Sequence, residues 1–184
     1  MSDTFAIVLV AGFAIFFVGI MIYSSVSQKR YMNQQKETGE DKRAMLDLMA
    51  QVMEGAYADY TYMVGYFTKT TQSGRTTTYY YFPYILAFNA SEMIIFPFIK
   101  KEGKLYIRNR LPVDWGSMGF IYTVKKKLIT LKFSVAGDTV TVNTNPVIVS
   151  GGVEKSDRPL CVYQEQEYEQ LKTYLPQYKG NSGK

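Results

Sequence analysis

From Thr4 to Gln28 the chain runs for 25 residues without a charge, TFAIVLVAGFAIFFVGIMIYSSVSQ. No other feature constrains the fold as strongly. Its densest part, Phe5–Tyr23, holds 19 residues. As a helix it spans about 28 Å, close to the hydrocarbon thickness of a bilayer. It is apolar on every side, so it does not read as an amphipathic helix resting on a core. The rest of the chain is too small to wrap it. A cleaved secretory signal would carry a positive segment before the run and a small-residue cleavage pattern after it. Here the only preceding charge is Asp3, and Ser24 and Ser25 make no A-x-A pattern. The run is therefore expected to be a transmembrane helix, with residues 5–23 in the lipid bilayer. Gly12 and Gly19 share a helix face, a spacing too common in membrane spans to imply helix pairing.

The flanks orient this span. Lys29, Arg30 and Lys36 follow it, with Lys42 and Arg43 just beyond, and no Lys or Arg precedes it. The excess of positive charge on one side predicts that residues 29–184 lie in the cytoplasm and Met1 outside, a single pass through the cell membrane. Tyr23 and Tyr31 suit the inner headgroup level. A lone cysteine, Cys161, fits a reducing compartment.

Ser27–Lys42 is polar and reads as a juxtamembrane linker or the start of a second helix. From Asp41, apolar residues recur at three- and four-residue steps: Met45, Leu48, Met49, Val52, Met53 and Ala56. This predicts an amphipathic helix with Asp41 near its cap and Gly55 near its end. Its methionine stripe is expected to pack on the following sheet.

After Asp59 the residues become aromatic and β-branched. Strands are expected at Tyr60–Thr68, Thr77–Phe88, Glu92–Lys100, Leu105–Arg108, Phe120–Lys125, Leu128–Val135 and Thr139–Asn143, about seven in all. Pro83 and Pro97 cannot donate to a ladder and predict edges, bends or bulges. Gly103 offers a positive φ to the turn at 101–104. Short sequential connections imply an antiparallel meander, as a sandwich or a partly open barrel. Gln164–Leu175 then places Tyr168, Leu171 and Leu175 on one helix face, with Glu165, Glu167 and Glu169 early in the helix, where the dipole favours them. Pro176 stops it. The organisation expected is an anchor (1–28), a linker and amphipathic helix (29–59), a β domain with its terminal helix (60–176) and a flexible tail (177–184).

Seven antiparallel strands closed by one carboxy-terminal helix, with the stretch YYYFPYILAFNASEMIIFPFIKKEGKLYI in its middle, resembles the pleckstrin-homology-like (PH-like) domain of small bacterial single-pass membrane proteins. The resemblance covers roughly residues 60–175. It implies an α+β fold with a mainly β core, a barrel or sandwich plugged by the last helix. It also implies a cytoplasmic binding or scaffold module that contacts a protein partner. The helix at 41–56 and the long stretch Asn143–Tyr163 depart from that pattern.

The composition narrows the chemistry. The sequence has no histidine and one cysteine. Nucleophile systems that rely on an imidazole are excluded, as are cysteine clusters for zinc and any disulfide within the chain. Ser134 with Lys132, or Ser150 with Lys155, could form a dyad that needs no histidine, and neither lies on a strained nucleophile turn. Asp114, Asp138, Glu154 and Asp157 are scattered loop carboxylates, and Gly151–Gly152 makes no phosphate loop. No metal, cofactor or enzymatic activity is expected. Cys161, set among apolar residues, is expected to pack.

One charge pattern remains. Between Lys100 and Lys132 nine basic residues face two acidic ones, a net of +7 against +5 for the whole chain. Lys100, Lys101 and Lys104 cluster at one hairpin turn, and Lys125, Lys126 and Lys127 at another. If the turns share one end of the barrel, they form a basic rim for anionic lipid headgroups, to which each cation contributes roughly 1 kcal/mol. Otherwise they are solvated lysines that protect edges. Tyr106 and Tyr122 nearby do not outweigh the membrane span, and no nucleic acid is expected. The alternatives to a membrane-anchored binding module are an extracytoplasmic β-rich envelope component and an enzyme of unknown chemistry without histidine.

Overall fold

A computed structural model describes residues 3–73, 76–108, 111–114, 121–135, 138–150 and 160–176. The chain divides into two units, Met1–Thr38 and Gly39–Lys184. The expected tail at 177–184, and with it Arg110, Gly151, Gly152, Glu154, Lys155 and Asp157, lies outside the described residues.

The first unit is one helix, α1 (Asp3–Thr38), of 36 residues. At 1.5 Å per residue it is about 54 Å long. The polar stretch from Ser27 therefore continues the apolar helix as far as Thr38 instead of forming an irregular linker. From Gly12 to Thr38 it is long and apolar enough to cross a membrane. Phe13, Ile15, Phe16, Met21 and Tyr23 are all exposed along it.

Gly39 separates α1 from the second unit. Its φ of 61° lies in the left-handed region, where glycine carries no Cβ penalty. Helix α2 (Glu40–Met53) follows and ends at Glu54, and Glu54–Asp59 continue as a 3₁₀ turn. Ten strands follow among the described residues. They are β1 (Thr61–Ser73), β2 (Thr76–Phe88), β3 (Glu92–Lys101), β4 (Lys104–Ile107), β5 (Leu111–Asp114), β6 (Ile121–Lys125), β7 (Leu128–Val135), β8 (Asp138–Thr144), β9 (Val147–Ser150) and β10 (Leu160–Tyr163). Helix α3 (Glu165–Tyr174) comes last.

Seven strands form one antiparallel path, β4-β3-β2-β1-β8-β7-β6, and β5 pairs with β3 beside it. Two meanders thus meet where β1 crosses β8 at Tyr66 and Asn143. The crossing is close. A Cβ on Gly65 would lie 2.6 Å from Val142 Cγ1 and 3.0 Å from the Asn143 carbonyl oxygen, so only glycine fits. The sheet is not closed: among the described strands, β6 ends one side of the path and β4 the other. This corrects the expectation of a barrel plugged by the last helix. β5, β9 and β10, the last two forming a separate ribbon, occupy stretches expected to be connections. Each is only four residues long, too short for an alternation to stand out.

The central strands are buried on both faces, which explains their unbroken apolar runs YMV, ILAF and MIIF. Met63, Leu86, Phe88, Met93 and Ile95 face one core with Ile129, Leu131 and Val142 of the second meander and Tyr168, Leu171 and Leu175 of the terminal helical segment. Tyr62, Val64, Ile85, Ala87, Phe96 and Phe98 face another with Met45 and Met49 of α2 and Ile148, Leu160 and Val162 of the β9–β10 ribbon. The methionine stripe does pack on the sheet, as expected.

The two strand prolines mark where the sheet splits. Pro83 lies opposite Tyr66, and Pro97 opposite Tyr84. The β2–β3 ladder runs from Phe88 and Met93 to that Tyr84–Pro97 step. Beyond it β3 pairs with β4, from Phe98–Ile107 to Lys101–Lys104. Residues 67–73 and 76–82 continue as a two-stranded ribbon, from Phe67–Phe82 to Ser73–Thr76. Two missing backbone donors on neighbouring strands make continued three-strand pairing costly at this level.

Candidate functional site

The expected site residues are lysines at two hairpin turns. Strand direction decides whether those turns meet. Antiparallel pairing along the path makes β1, β3 and β7 run one way and β2, β4, β6 and β8 the other. The β3–β4 turn therefore leaves the sheet at one end and the β6–β7 turn at the opposite end. The condition for a single basic rim is not met.

The β3–β4 turn is tight. Lys101 pairs with Lys104, and the two residues between them have positive φ, 52° at Glu102 and 75° at Gly103. This is the hairpin turn whose twist matches that of the flanking strands. Lys101 and Lys104 are exposed on it. Lys100 is not: it is 9% exposed, and its Nζ lies 3.3 Å from Asp41 Oδ1 on α2. Lys100 thus sits inside the domain with a counter-ion and cannot serve a headgroup-contacting rim in this arrangement. Asp41 is 8% exposed. Its other oxygen, Oδ2, accepts the backbone N–H of Cys161 at 2.7 Å. Asp41, expected near the helix cap, stands in the first turn of α2. Its carboxylate also ties that turn to the end of β3 and to β10.

This tie fixes the direction of α2. Its first turn lies beside Lys100, near the β3–β4 turn. Its last residues lead through the 3₁₀ turn to the start of β1, where Tyr57 stacks on Tyr62 at 4.9 Å and its carbonyl accepts the Tyr62 hydroxyl. The chain therefore enters the second unit, at Gly39, on the same end of the sheet as Lys101 and Lys104.

Cys161, 1% exposed, packs as expected. Burial, and then the nearby Asp41 carboxylate, push its thiol up to about 11. A thiol held neutral is a poor nucleophile. At the opposite end Tyr60 donates to the Glu92 carboxylate, and this bond, with burial, raises its phenol to about 12.

A second buried node was not foreseen. Gln164, fully buried, precedes α3. Its Oε1 accepts the Val64 N–H at 2.7 Å, and its Nε2 donates to the Val64 carbonyl at 2.8 Å and the Asn145 carbonyl at 2.9 Å. Thr144 Oγ1 also donates to the Val64 carbonyl, at 2.7 Å. The amide thus acts as a substitute peptide group for β1 beside the β8 crossing. Buried backbone groups need such partners. Nothing in the local sequence distinguishes this glutamine from Gln166 or Gln170.

The β6–β7 turn is different. Lys125 pairs with Leu128, and Lys126 has a φ of 54°. Lys125, Lys126 and Lys127 are all exposed, as is Lys132. Among the described residues no group of three or more His, Cys, Asp or Glu could hold a metal ion. No family model, curated protein or solved structure matches the chain.

Proposed function

We propose that this chain is a single-pass membrane protein whose second unit is a cytoplasmic, non-enzymatic binding or scaffold module that engages anionic headgroups through Lys101 and Lys104 and a protein partner elsewhere. The apolar helix and its positive flank at Lys29, Arg30 and Lys36 support the anchored, cytoplasmic orientation. The strand order, two meanders joined through β1 and followed by a helix packed on the core, supports a PH-like relationship. The α2 layer and the open edge at β6 distinguish this domain from a minimal PH-like barrel.

The observation that carries the reading is the position of Lys101 and Lys104. They are exposed on the turn nearest the point where the chain enters the domain from its anchor. Tethering raises the effective concentration of such a turn over the bilayer. Two cations near an anionic leaflet contribute about 2 kcal/mol, or roughly 30-fold in occupancy.

The test uses the full chain in nanodiscs of neutral or anionic lipid. Acetylation of Lys101 and Lys104 by a water-soluble reagent, read by mass spectrometry, is expected to slow in anionic discs only. Equal rates in both lipids would remove the headgroup contact. Protease access to residues 39–184 in sealed vesicles and intact cells tests the orientation separately: cleavage from outside the cell would overturn it.

A further inference from the structure

The edge strand β6 combines three features that a solvated edge does not require together. It ends the sheet path among the described strands. It exposes apolar side chains on both of its faces. Ile121, on the face of Lys132, is 67% exposed, and Val124, opposite the buried Ile129 and so on the core face, is 38% exposed. Its flanking sequence is cationic: Lys125, Lys126, Lys127 and Lys132 occur between Asp114 and Asp138 with no acidic residue in that interval.

The backbone register sharpens this. Lys125 and Leu128 close the two-residue turn. In such a hairpin the closing pair exchanges both hydrogen bonds, and every second pair after it does the same. Lys125, Thr123 and Ile121 therefore direct their N–H and C=O groups to β7. Val124 directs its own outward, away from β7. A further strand laid along β6 would bond to Val124 and cover its side chain at the rim of the core. Lysines alone discourage edge pairing in general. Against an acidic strand they do the opposite, because the charges are complementary.

We propose that β6 is a docking edge for an extended, acidic segment of a protein partner, which adds as a strand against Val124 and lies between Ile121 and the lysines of the 125–127 turn. The inference deepens the binding-module reading and rests on it only for the existence of a protein partner. The β6–β7 turn lies at the opposite end of the sheet from Lys101 and Lys104, so headgroup contact can fail while strand addition holds, and the reverse. A second copy of this chain fits less well, since two β6 edges would bring two +4 segments together.

The experiment uses the full chain in nanodiscs of zwitterionic lipid. The probes are two blocked peptides, one alternating Val and Glu and the other alternating Val and Lys. Amide hydrogen exchange is followed at Val124, with the Ile129 amide as an internal control. The Val–Glu peptide is expected to slow exchange at Val124 by about tenfold or more at saturation, and the Val–Lys peptide to leave it unchanged. Val124→Pro removes the outward N–H without removing a β6–β7 bond and is expected to abolish binding. Should that variant unfold, the triple change Lys125→Glu, Lys126→Glu, Lys127→Glu provides the second test, with a loss of roughly tenfold or more in affinity for the acidic peptide. Equal binding of both peptides, or unchanged exchange at Val124 with the acidic one, would overturn the proposal. So would protection at Val124 that rises with protein concentration and no peptide, which would make the occupant a second copy.

Discussion

The two lysine-rich turns look alike in sequence and differ in the structure. At Lys100–Lys104 the first lysine is drawn into the domain by Asp41, and two remain on the surface. At Lys125–Lys127 all three remain exposed. The first turn lies on the end where the chain arrives from its apolar helix, and the second lies on the other end. Charge density along a sequence therefore says little about a shared surface. Strand parity and one buried carboxylate give the lysines of the two turns different surroundings.

The largest effect that would break this comparison belongs to Asp41. Asp41→Ala leaves Lys100 buried without its partner and the Cys161 N–H without its acceptor. The expected cost is about 3–5 kcal/mol, read by urea unfolding in detergent. The double change Asp41→Leu with Lys100→Met is expected to recover most of that loss, because the uncompensated charge goes too. If the single variant is as stable as the parent, the first turn is not held as described.

Gln164 sharpens the comparison by providing a neutral tie. Gln164→Ala leaves the Val64 N–H without its acceptor and removes the donor to the Asn145 carbonyl. Each buried group left without a partner costs about 1–3 kcal/mol, so a loss of about 2–4 kcal/mol is expected. Because the amide carries no charge, this loss should be independent of pH between 5 and about 8. A loss that varies steeply across that range would count against the assignment.

The lipid readout separates the two turns directly. Lys101→Glu is expected to lower the protection of the remaining Lys104 in anionic nanodiscs by roughly fivefold or more, and Lys104→Glu that of Lys101 likewise. Reversal of Lys125, Lys126 and Lys127 should leave that protection within about twofold, because their end of the sheet faces away from the chain's entry. Stability should change by no more than about 0.5 kcal/mol per site in each variant. Equal lipid effects from both turns would dissolve the distinction.

The smallest effect is a pH dependence at the first turn. The folded state holds the Cys161 thiol at about 11 against an ordinary value of 9.0. A raised value means that the folded protein keeps a proton the unfolded chain gives up. The contribution is therefore complete below pH 9 and is lost as pH rises through about 11. Thermal unfolding should show this decline, and Cys161→Ala should flatten it. Tyr60, raised to about 12 by its bond to Glu92, adds a decline that starts near pH 10, which Tyr60→Phe should remove.

Much of the fold was legible because it rests on local periodicity. The apolar helix, the amphipathic α2, the seven strands of the main path and α3 each carry their own pattern. The turn at Glu102–Gly103 was legible because a tight hairpin requires positive φ. The prolines were informative too: Pro83 and Pro97 signalled interruption and sit at the level where the sheet splits. The candidate site was less legible. Lys100 looked like its neighbours, and Asp41 looked like a helix cap. Gly65, inside a strand run, was the one local signal of a close backbone approach. Short strands such as β9 and β10 were not legible because four residues carry too little alternation, and they pair with each other across a long connection.

What the sequence alone determined is the division of the chain: an uncharged helix of membrane-spanning length joined to an antiparallel domain with a terminal helix. Those features follow from hydrophobic period and from residues that start or stop an element, and both are properties of neighbours in the chain. What only the tertiary structure decided is which groups meet. The sheet stays open, the two lysine turns leave opposite ends, Asp41 takes Lys100, and Gln164 completes β1. The last two depend on partners 59 to 120 residues apart, as between Lys100 and Asp41 or Cys161 and Asp41. At such separations the strand order, and not the local pattern, sets which donor reaches which acceptor.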